Sequence, residues 1–349
     1  MSGATTTPGI AEQATKSLKA RVLVALAVAL AAGLLSMVKS PGWRQGDGLS
    51  DFDQVWAAAR MLANRQDPYA NIGPGLPFDW RWPLYYPLTT IIGSAPLALL
   101  PLATSRLVFL GLSAGLLAFA VSRRDWDRLA ILASGPAISG ILAGQWAPLL
   151  TAGFLLNAGW LLAFKPTVGL ALALATFSRR TLAGFTIALG LLASLAFAWQ
   201  PAWFGSWRAA IETAGHFRLL LLRPLGPLLL LAIPRWRCPE ARILLALACV
   251  PQTPVIYEAL PLLLVPRSRW SMLGLLALSI VEPAAQVYAI RGLATVEAAN
   301  LSADYLLLFL YLPALAIILI ERPGEQSGRG RSSRGPFGKR PQWWYRAKL

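Results

Sequence analysis

The chain has 349 residues, 56% of them hydrophobic and only 14% charged, with a mean hydropathy of +0.54. Soluble domains carry about 25% charged residues, so the composition excludes a soluble globular protein and implies an all-α, polytopic membrane protein. The net charge of +16 does not imply a nucleic-acid partner, because it is spread over short loops and a C-terminal tail, where the positive-inside bias puts it. Two cysteines, Cys238 and Cys249, make no disulfide framework, and the lone His216 excludes a multi-histidine metal centre.

Residues 1–20 read as a cytoplasmic N-terminal segment. The apolar run from Arg21 to Val38 is too long for a signal-peptide core and no small-residue cleavage site follows it, so it is a retained first span. A hydrocarbon core of ~30 Å needs about 20 apolar residues per helix, fewer inside a bundle. On that basis spans fall near 21–39, 88–104, 105–121, 128–143, 147–163, 166–178, 181–198, 218–234, 242–251, 255–265, 270–289 and 303–320. The expectation is roughly ten to twelve helices over a membrane domain of 21–320. The pairs around Gly144 and Gln252 read equally as re-entrant hairpins.

Lys16, Lys19 and Arg21 put the N-terminus in the cytoplasm, and Arg179-Arg180, Arg235, Arg237, Arg242, Arg267 and Arg269 mark further cytoplasmic loops. That phase places 40–87, the Trp-rich 199–217, Pro251–Pro254 and 290–302 on the outer face of the inner (cytoplasmic) membrane. One loop disagrees. Ser122–Arg128 (SRRDWDR) falls outside despite three arginines, so either it violates the bias or a nearby hairpin is miscounted. The tail 321–349 is rich in Gly, Ser and Arg and cannot bury enough apolar surface to fold. Its basic residues and Trp343-Trp344-Tyr345 suit anionic headgroups of membrane lipids.

The first outer loop is the polar-aromatic island of the chain. With Asp47, Asp51, Asp53, Asp67 and Asp79 it holds five of sixteen acidic residues. Ser50-Asp51-Phe52-Asp53 has the form of a capping box. Phe52, Val55, Trp56, Ala59 and Leu62 then recur at helical spacing, which predicts an amphipathic helix on the membrane surface. It ends before the Asp67-Pro68 turn, and Trp80, Trp82, Tyr85 and Tyr86 form an interfacial belt at re-entry. Capping accounts for Asp53, the turn for Asp67, and a neighbouring Arg81 for Asp79. Asp51 is left without a structural explanation.

An acidic residue after the first span, a D-F-x-x-x-W-x-A-A-R helix, then D-P-Y and an aromatic-Pro-Leu re-entry resemble the GT-C membrane glycosyltransferases. Within them the pattern is most similar to family 87, the polyprenyl-phosphate-mannose-dependent mannosyltransferases. Gly144-Gln145 resembles that family's G-Q-x-N, with Ala147 in place of the Asn. Lys165-Pro166 and Pro251–Pro261 (PQTPVIYEALP) fit further segments in order, while Tyr85-Tyr86-Pro87-Leu88 departs from Y-P-P-L.

The resemblance implies transfer of a hexose, mannose by family, from a polyprenyl-phosphate donor to a lipid or glycan acceptor on the outer face, with inversion at the anomeric carbon. Such chemistry needs a carboxylate to take the acceptor's proton and cations to hold the leaving phosphate. Asp51 is the expected base and Asp53 a secondary acid. A helix N-terminus stabilises the anion, so Asp51 is expected to be ionised and weakly basic. Lys165 and Arg218 are the expected phosphate ligands, and Gln145, Tyr86, Tyr257 and Glu258 the expected sugar or acceptor contacts. Gln145 falls near the cytoplasmic side in this count, so either 128–164 is a broken hairpin or Gln145 is structural. Asp51-x-Asp53 also spells a metal-binding D-x-D, but so does Asp125-Trp126-Asp127, and a monophosphate donor does not demand a metal. No metal or cofactor is expected. A transporter of a lipid-linked solute, with Glu282-Pro283 as a midplane feature, and a silent scaffold of the same fold are the alternatives.

Overall fold

A computed structural model describes residues 10–36, 50–214 and 218–321. Asp47, His216 and the expected tail beyond Glu321, with its terminal aromatics, lie outside the described residues. The protein is all-α and polytopic. Helix α1 (Ile10–Leu35) is followed by α2 (Asp51–Ala63), the single turn α3 (Pro68–Asn71), a two-residue pairing of β1 (Ile72–Gly73) with β2 (Phe78–Asp79), and α4 (Leu88–Ser94). Then come α5 (Leu102–Ser122), α6 (Gly135–Leu142), α7 (Ala147–Leu156), α8 (Gly159–Leu162), α9 (Pro166–Thr176), α10 (Arg179–Trp199) and α11 (Trp203–Glu212). The chain closes with α12 (Pro239–Ala248), α13 (Arg269–Ala289), α14 (Thr295–Leu306) and α15 (Leu312–Ile320). Tighter 3-10 turns cover 95–99, 126–133, 226–235 and 256–264.

Among the described residues, five helical stretches are long and apolar enough to cross a bilayer: Ser17–Leu35, Leu102–Ser122, Arg179–Trp199, Arg269–Ala289 and Val296–Ile320. The other expected spans are shorter pieces. Helices of 8 to 11 residues such as α6, α7, α9 and α12 reach only ~12–17 Å at 1.5 Å per residue, about half the hydrocarbon core. They are filled in around the long helices. Small residues let α1 and α5 touch: Gly111 sits so near the Ala29 carbonyl that an added Cβ would lie at 2.7 Å, and Gly115 faces Ala25 and Ala29 in the same way. This is the small-xxx-small packing of membrane helices.

The arginine loops gather at one end. Arg21 lies over Trp126, 5.7 Å from its ring centre, and Arg269 pairs with Asp127 at 2.6 Å. Arg128 donates to the Pro266 carbonyl, Arg267 to Glu240, Arg242 to the Ala175 carbonyl and Arg235 to that of Leu319. The loop Ser122–Arg128 therefore shares an end with the other basic loops and with the start of the first span. The expected crossing at 88–104 is what misplaced it. That stretch is a seven-residue helix and a 3-10 turn, folded back so that Ser105 Oγ donates to the Leu97 carbonyl at 2.6 Å. One crossing disappears and the charge bias is restored.

At the opposite end, Trp199 Nε1 donates to the Leu62 carbonyl at 3.0 Å and Trp207 Nε1 to that of Tyr85 at 2.9 Å. Helix α2 does not lie on a surface as expected. Nine of its thirteen residues are buried, including Asp51, Asp53 and Gln54, and it packs against α4, α5 and the 95–99 turn. A hydrophobic core contains Phe52, Val55 and Leu62 from α2 together with Leu117, Leu150, Leu172 and Leu260 from later helices.

Candidate functional site

The acidic residues of the first loop separate by partner. Asp53 is fully buried. Its carboxylate accepts the Ser50 backbone N–H at 2.5 Å and the Ser50 hydroxyl at 3.0 Å, which closes the capping box. Arg106 meets it with both Nε, at 2.6 Å, and Nη2. With both oxygens engaged, Asp53 is a structural anchor for α2, and the expected secondary-acid role has no free oxygen to use. Asp67 accepts the Tyr69 N–H at 3.0 Å as the cap of α3. Asp79 accepts the Gly75 N–H at 2.9 Å, so it fixes its own loop through a backbone contact.

Asp51, the first residue of α2, points elsewhere. Its backbone N–H donates to the Ala143 carbonyl at 2.9 Å, which ties α2 to the tip of the α6–α7 hairpin. At that tip Gly144 has φ +69°, a left-handed conformation that glycine adopts without strain. An added Cβ there would lie 2.7 Å from Ser50 Oγ. This close approach delivers the next residue, Gln145, whose Nε2 donates to Asp51 Oδ2. Gln145 Oε1 accepts in turn from the Tyr86 hydroxyl at 3.3 Å, and Tyr69 donates to the Tyr86 carbonyl at 3.0 Å. The 128–164 region is thus broken into short helices, and Gln145 reaches Asp51 although the span count had put them on opposite sides. One N–H of the Gln145 amide meets Asp51 and its oxygen meets Tyr86, so Gln145 orients the carboxylate.

A second cluster borders the first. Lys165, just before Pro166 opens α9, pairs with Glu258 at 2.7 Å, and Gln252 Nε2 donates to the same Glu258 oxygen at 2.5 Å. The Lys165 ammonium lies 5.9 Å from the ring centre of Tyr86 and 5.6 Å from that of Tyr257. Five of the expected site residues, Tyr86, Gln145, Lys165, Tyr257 and Glu258, therefore converge near Asp51. Arg218 does not join them. It is exposed, and its recorded tie to the region is through its backbone N–H, which donates to Thr253 Oγ1 at 3.3 Å.

Burial dominates the electrostatics. It raises the Asp51 pKa above the ordinary carboxylate value, against the opposing pull of Arg81, Lys165 and the Gln145 hydrogen bond; nearby Asp53 raises it further. The expectation of a weakly basic Asp51 is corrected, because lost hydration outweighs the helix terminus. Tyr86 is pushed well above its usual value by burial and then by the Asp51 charge, so its hydroxyl remains a neutral donor. Beneath the cluster, Phe52 stacks on Phe109 at 4.7 Å, Phe109 meets Trp146 at 4.5 Å, and Trp146 stacks on Phe164 at 5.5 Å.

A small cavity between α7, α9 and the 256–264 turn is lined by Lys165, Tyr257 and Glu258 together with Ala147, Val168 and Leu172. Arg106 and Gln252 belong to the arrangement and are not expected site residues from the sequence, and Arg81, expected only as the partner of Asp79, acts on Asp51 through its charge. Gln252 lies inside the quoted PQTPVIYEALP segment, and Arg106 is the one charge in the otherwise uncharged stretch from Pro83 to Ser122. For Arg81, three residues after Phe78, only the surrounding aromatic belt is a sequence signal.

Comparison of the chain with protein-family models, with curated proteins and with solved structures finds no match.

Proposed function

We propose that the chain is a membrane glycosyltransferase that moves a hexose from a polyprenyl-phosphate donor to a lipid or glycan acceptor. The basic end lies in the cytoplasm by the positive-inside bias, so the site opens toward the outer side of the membrane. The observation that carries the reading is the convergence on Asp51: a buried carboxylate, oriented by Gln145, with Lys165 beside Tyr86 and Tyr257 and the charges of Lys165 and Arg81 acting on it. A carboxylate and an ammonium kept apart by aromatic side chains supply the two charges that sugar transfer from a phosphate requires.

In this reaction the acceptor oxygen attacks the anomeric carbon and its proton passes to Asp51. The bond from that carbon to the phosphate oxygen breaks, and the electron pair leaves with the phosphate toward Lys165 and Arg81. Gln145 and Tyr86 hold the carboxylate in line. Attack from the face opposite the leaving group inverts the anomeric carbon. The raised proton affinity of Asp51 makes it a better base than an exposed aspartate, at the cost of losing activity as the pH falls through its pKa.

The test is transfer from radiolabelled polyprenyl-phosphate sugars to membrane lipid extract by the purified protein and its Asp51→Asn variant. The reading expects transfer by the wild type and loss of several orders of magnitude in the variant. Equal rates would remove Asp51 from the mechanism. A transporter is the second reading, favoured by Glu282 in the middle of α13, which is buried with an unpartnered Oε2 and is followed by the helix-breaking Pro283. Solute uptake into vesicles without any transfer would select it.

A further inference from the structure

Lys165 and Glu258 form their ion pair inside the protein, with only 13% and 8% of their side chains exposed. Taking two charges out of water costs more than their attraction returns unless further hydrogen bonds complete both shells. Glu258 has such a bond, from Gln252 Nε2 at 2.5 Å, and it falls on the same Oε1 that meets Lys165. Lys165 is held differently. The rings of Tyr86 and Tyr257 lie 5.9 and 5.6 Å from its ammonium, and an aromatic face attracts a cation whichever anion accompanies it. The cation keeps its seat if its anion is exchanged, and the anion has a second holder to move to. A small cavity beside the pair is lined by these same two side chains.

We infer that the Glu258 carboxylate is an internal stand-in for the phosphate of a lipid ligand: it occupies the phosphate's place on Lys165 and withdraws onto Gln252 when the lipid loads. The inference rests on the glycosyltransferase reading and adds to it how the site chooses its lipid. An empty site holds no uncompensated ammonium within the membrane. A neutral lipid has no group that competes with a carboxylate for Lys165, so it leaves the pair closed. A phosphate ester does compete, by charge-assisted hydrogen bonds at least as strong as those it displaces. Arg81, whose charge reaches both Asp51 and Tyr257, offsets the extra negative charge of the loaded site. Selection for a phosphate-bearing isoprenyl lipid over its uncharged counterpart follows from the exchange.

The experiment measures binding of a C55 isoprenyl monophosphate, with the matching isoprenol as the uncharged control, to the full chain in lipid nanodiscs. It compares the wild type with Glu258→Gln, Lys165→Gln and Gln252→Ala. Glu258→Gln removes the competitor and tightens monophosphate binding about tenfold, the scale of one charged contact. Lys165→Gln weakens it, and Gln252→Ala weakens it too, because the carboxylate loses its second holder and stays on Lys165. Isoprenol binding is the same in all four proteins. Unchanged or weaker monophosphate binding by Glu258→Gln, with loss in Lys165→Gln, overturns the stand-in and leaves the phosphate reading intact. If Glu258→Gln does not fold, Gln252→Ala decides, and unchanged or tighter binding there overturns the inference. A wild type that binds monophosphate no better than isoprenol overturns the phosphate reading and the stand-in together.

Discussion

Gln145 and Asp51 are 94 residues apart in sequence, and the amide of one holds the carboxylate of the other in the buried centre of the protein. The bond lowers the proton affinity that burial raises. Gln145→Leu should therefore raise the Asp51 pKa further. Asp51 accepts a proton only when ionised, so the acid limb of the pH–rate profile should move to higher pH. The plateau rate should also fall about 10- to 100-fold as the carboxylate loses its orientation. An acid limb at the wild-type position would mean that the bond does not act on the reacting group.

Asp53 and Arg106 provide the contrasting case. Their paired contact is buried on the carboxylate side, and removing one partner of such a pair strands the other. Asp53→Ala or Arg106→Leu should each destabilise the protein by about 3–5 kcal/mol, while the double variant Asp53→Leu/Arg106→Leu should cost less than the two singles combined. Thermal unfolding in detergent measures all three. Asp51→Asn should unfold near the wild-type temperature, which separates the anchor from the proposed base.

Gly144 and Gly75 share almost the same backbone conformation, with φ of +69° and +70°. Alanine at Gly75 meets nothing within 4 Å, whereas alanine at Gly144 would press on Ser50 Oγ and on Phe52 Cβ, at 2.7 and 3.0 Å. Gly75→Ala should cost about 1–2 kcal/mol for the left-handed backbone alone. Gly144→Ala should cost more and should also reduce transfer, since it pushes Gln145 away from Asp51. Equal melting temperatures and equal transfer for the two variants would show that the close approach is not needed.

The two ends of the bundle can be told apart by labelling. With Cys238 and Cys249 replaced by Ser, Asn64→Cys should react with an impermeant maleimide in intact cells. Arg123→Cys should react only after the membrane is opened. The second result distinguishes the observed fold from the twelve-span reading, which puts Ser122–Arg128 outside. Labelling of Arg123→Cys in intact cells would restore that reading.

What could be read from the sequence was what depends on near neighbours. The capping box of Ser50 and Asp53, the turn cap of Asp67 and the isolation of Asp51 follow from residues within three positions of each other. The aromatic residues and Lys165-Pro166 were found as motifs, and the fold brings them together. Gln145 is legible as a site residue too, but the span count puts it at the wrong depth, because α6 and α7 are as apolar as spans twice their length. Composition does not report where a helix stops halfway. Arg106 on Asp53 and Glu258 on Lys165 were missed for another reason: pairs 53 and 93 residues apart are decided by packing, which no local pattern records. The burial of α2 is of the same kind, since its amphipathic pattern fits a protein interior with a polar corner as well as a membrane surface.

Phe52, the residue after Asp51, stacks on Phe109, seven positions into α5. At 1.5 Å per residue that puts the Asp51 region roughly 10 Å from the N-terminal end of a helix long and apolar enough to cross the hydrocarbon layer. In the orientation proposed above, that end faces the outer water, and a proton moving between it and Asp51 crosses about a third of the membrane's electric field. A full crossing is worth about 2.3 kcal/mol per 100 mV, so the partial one is worth about 0.8 kcal/mol. The cell's voltage thereby becomes a term in the protonation of Asp51, equivalent to about half a pH unit at that potential. In sealed vesicles an imposed potential should move the acid limb of the rate profile by that amount, in opposite directions for opposite signs.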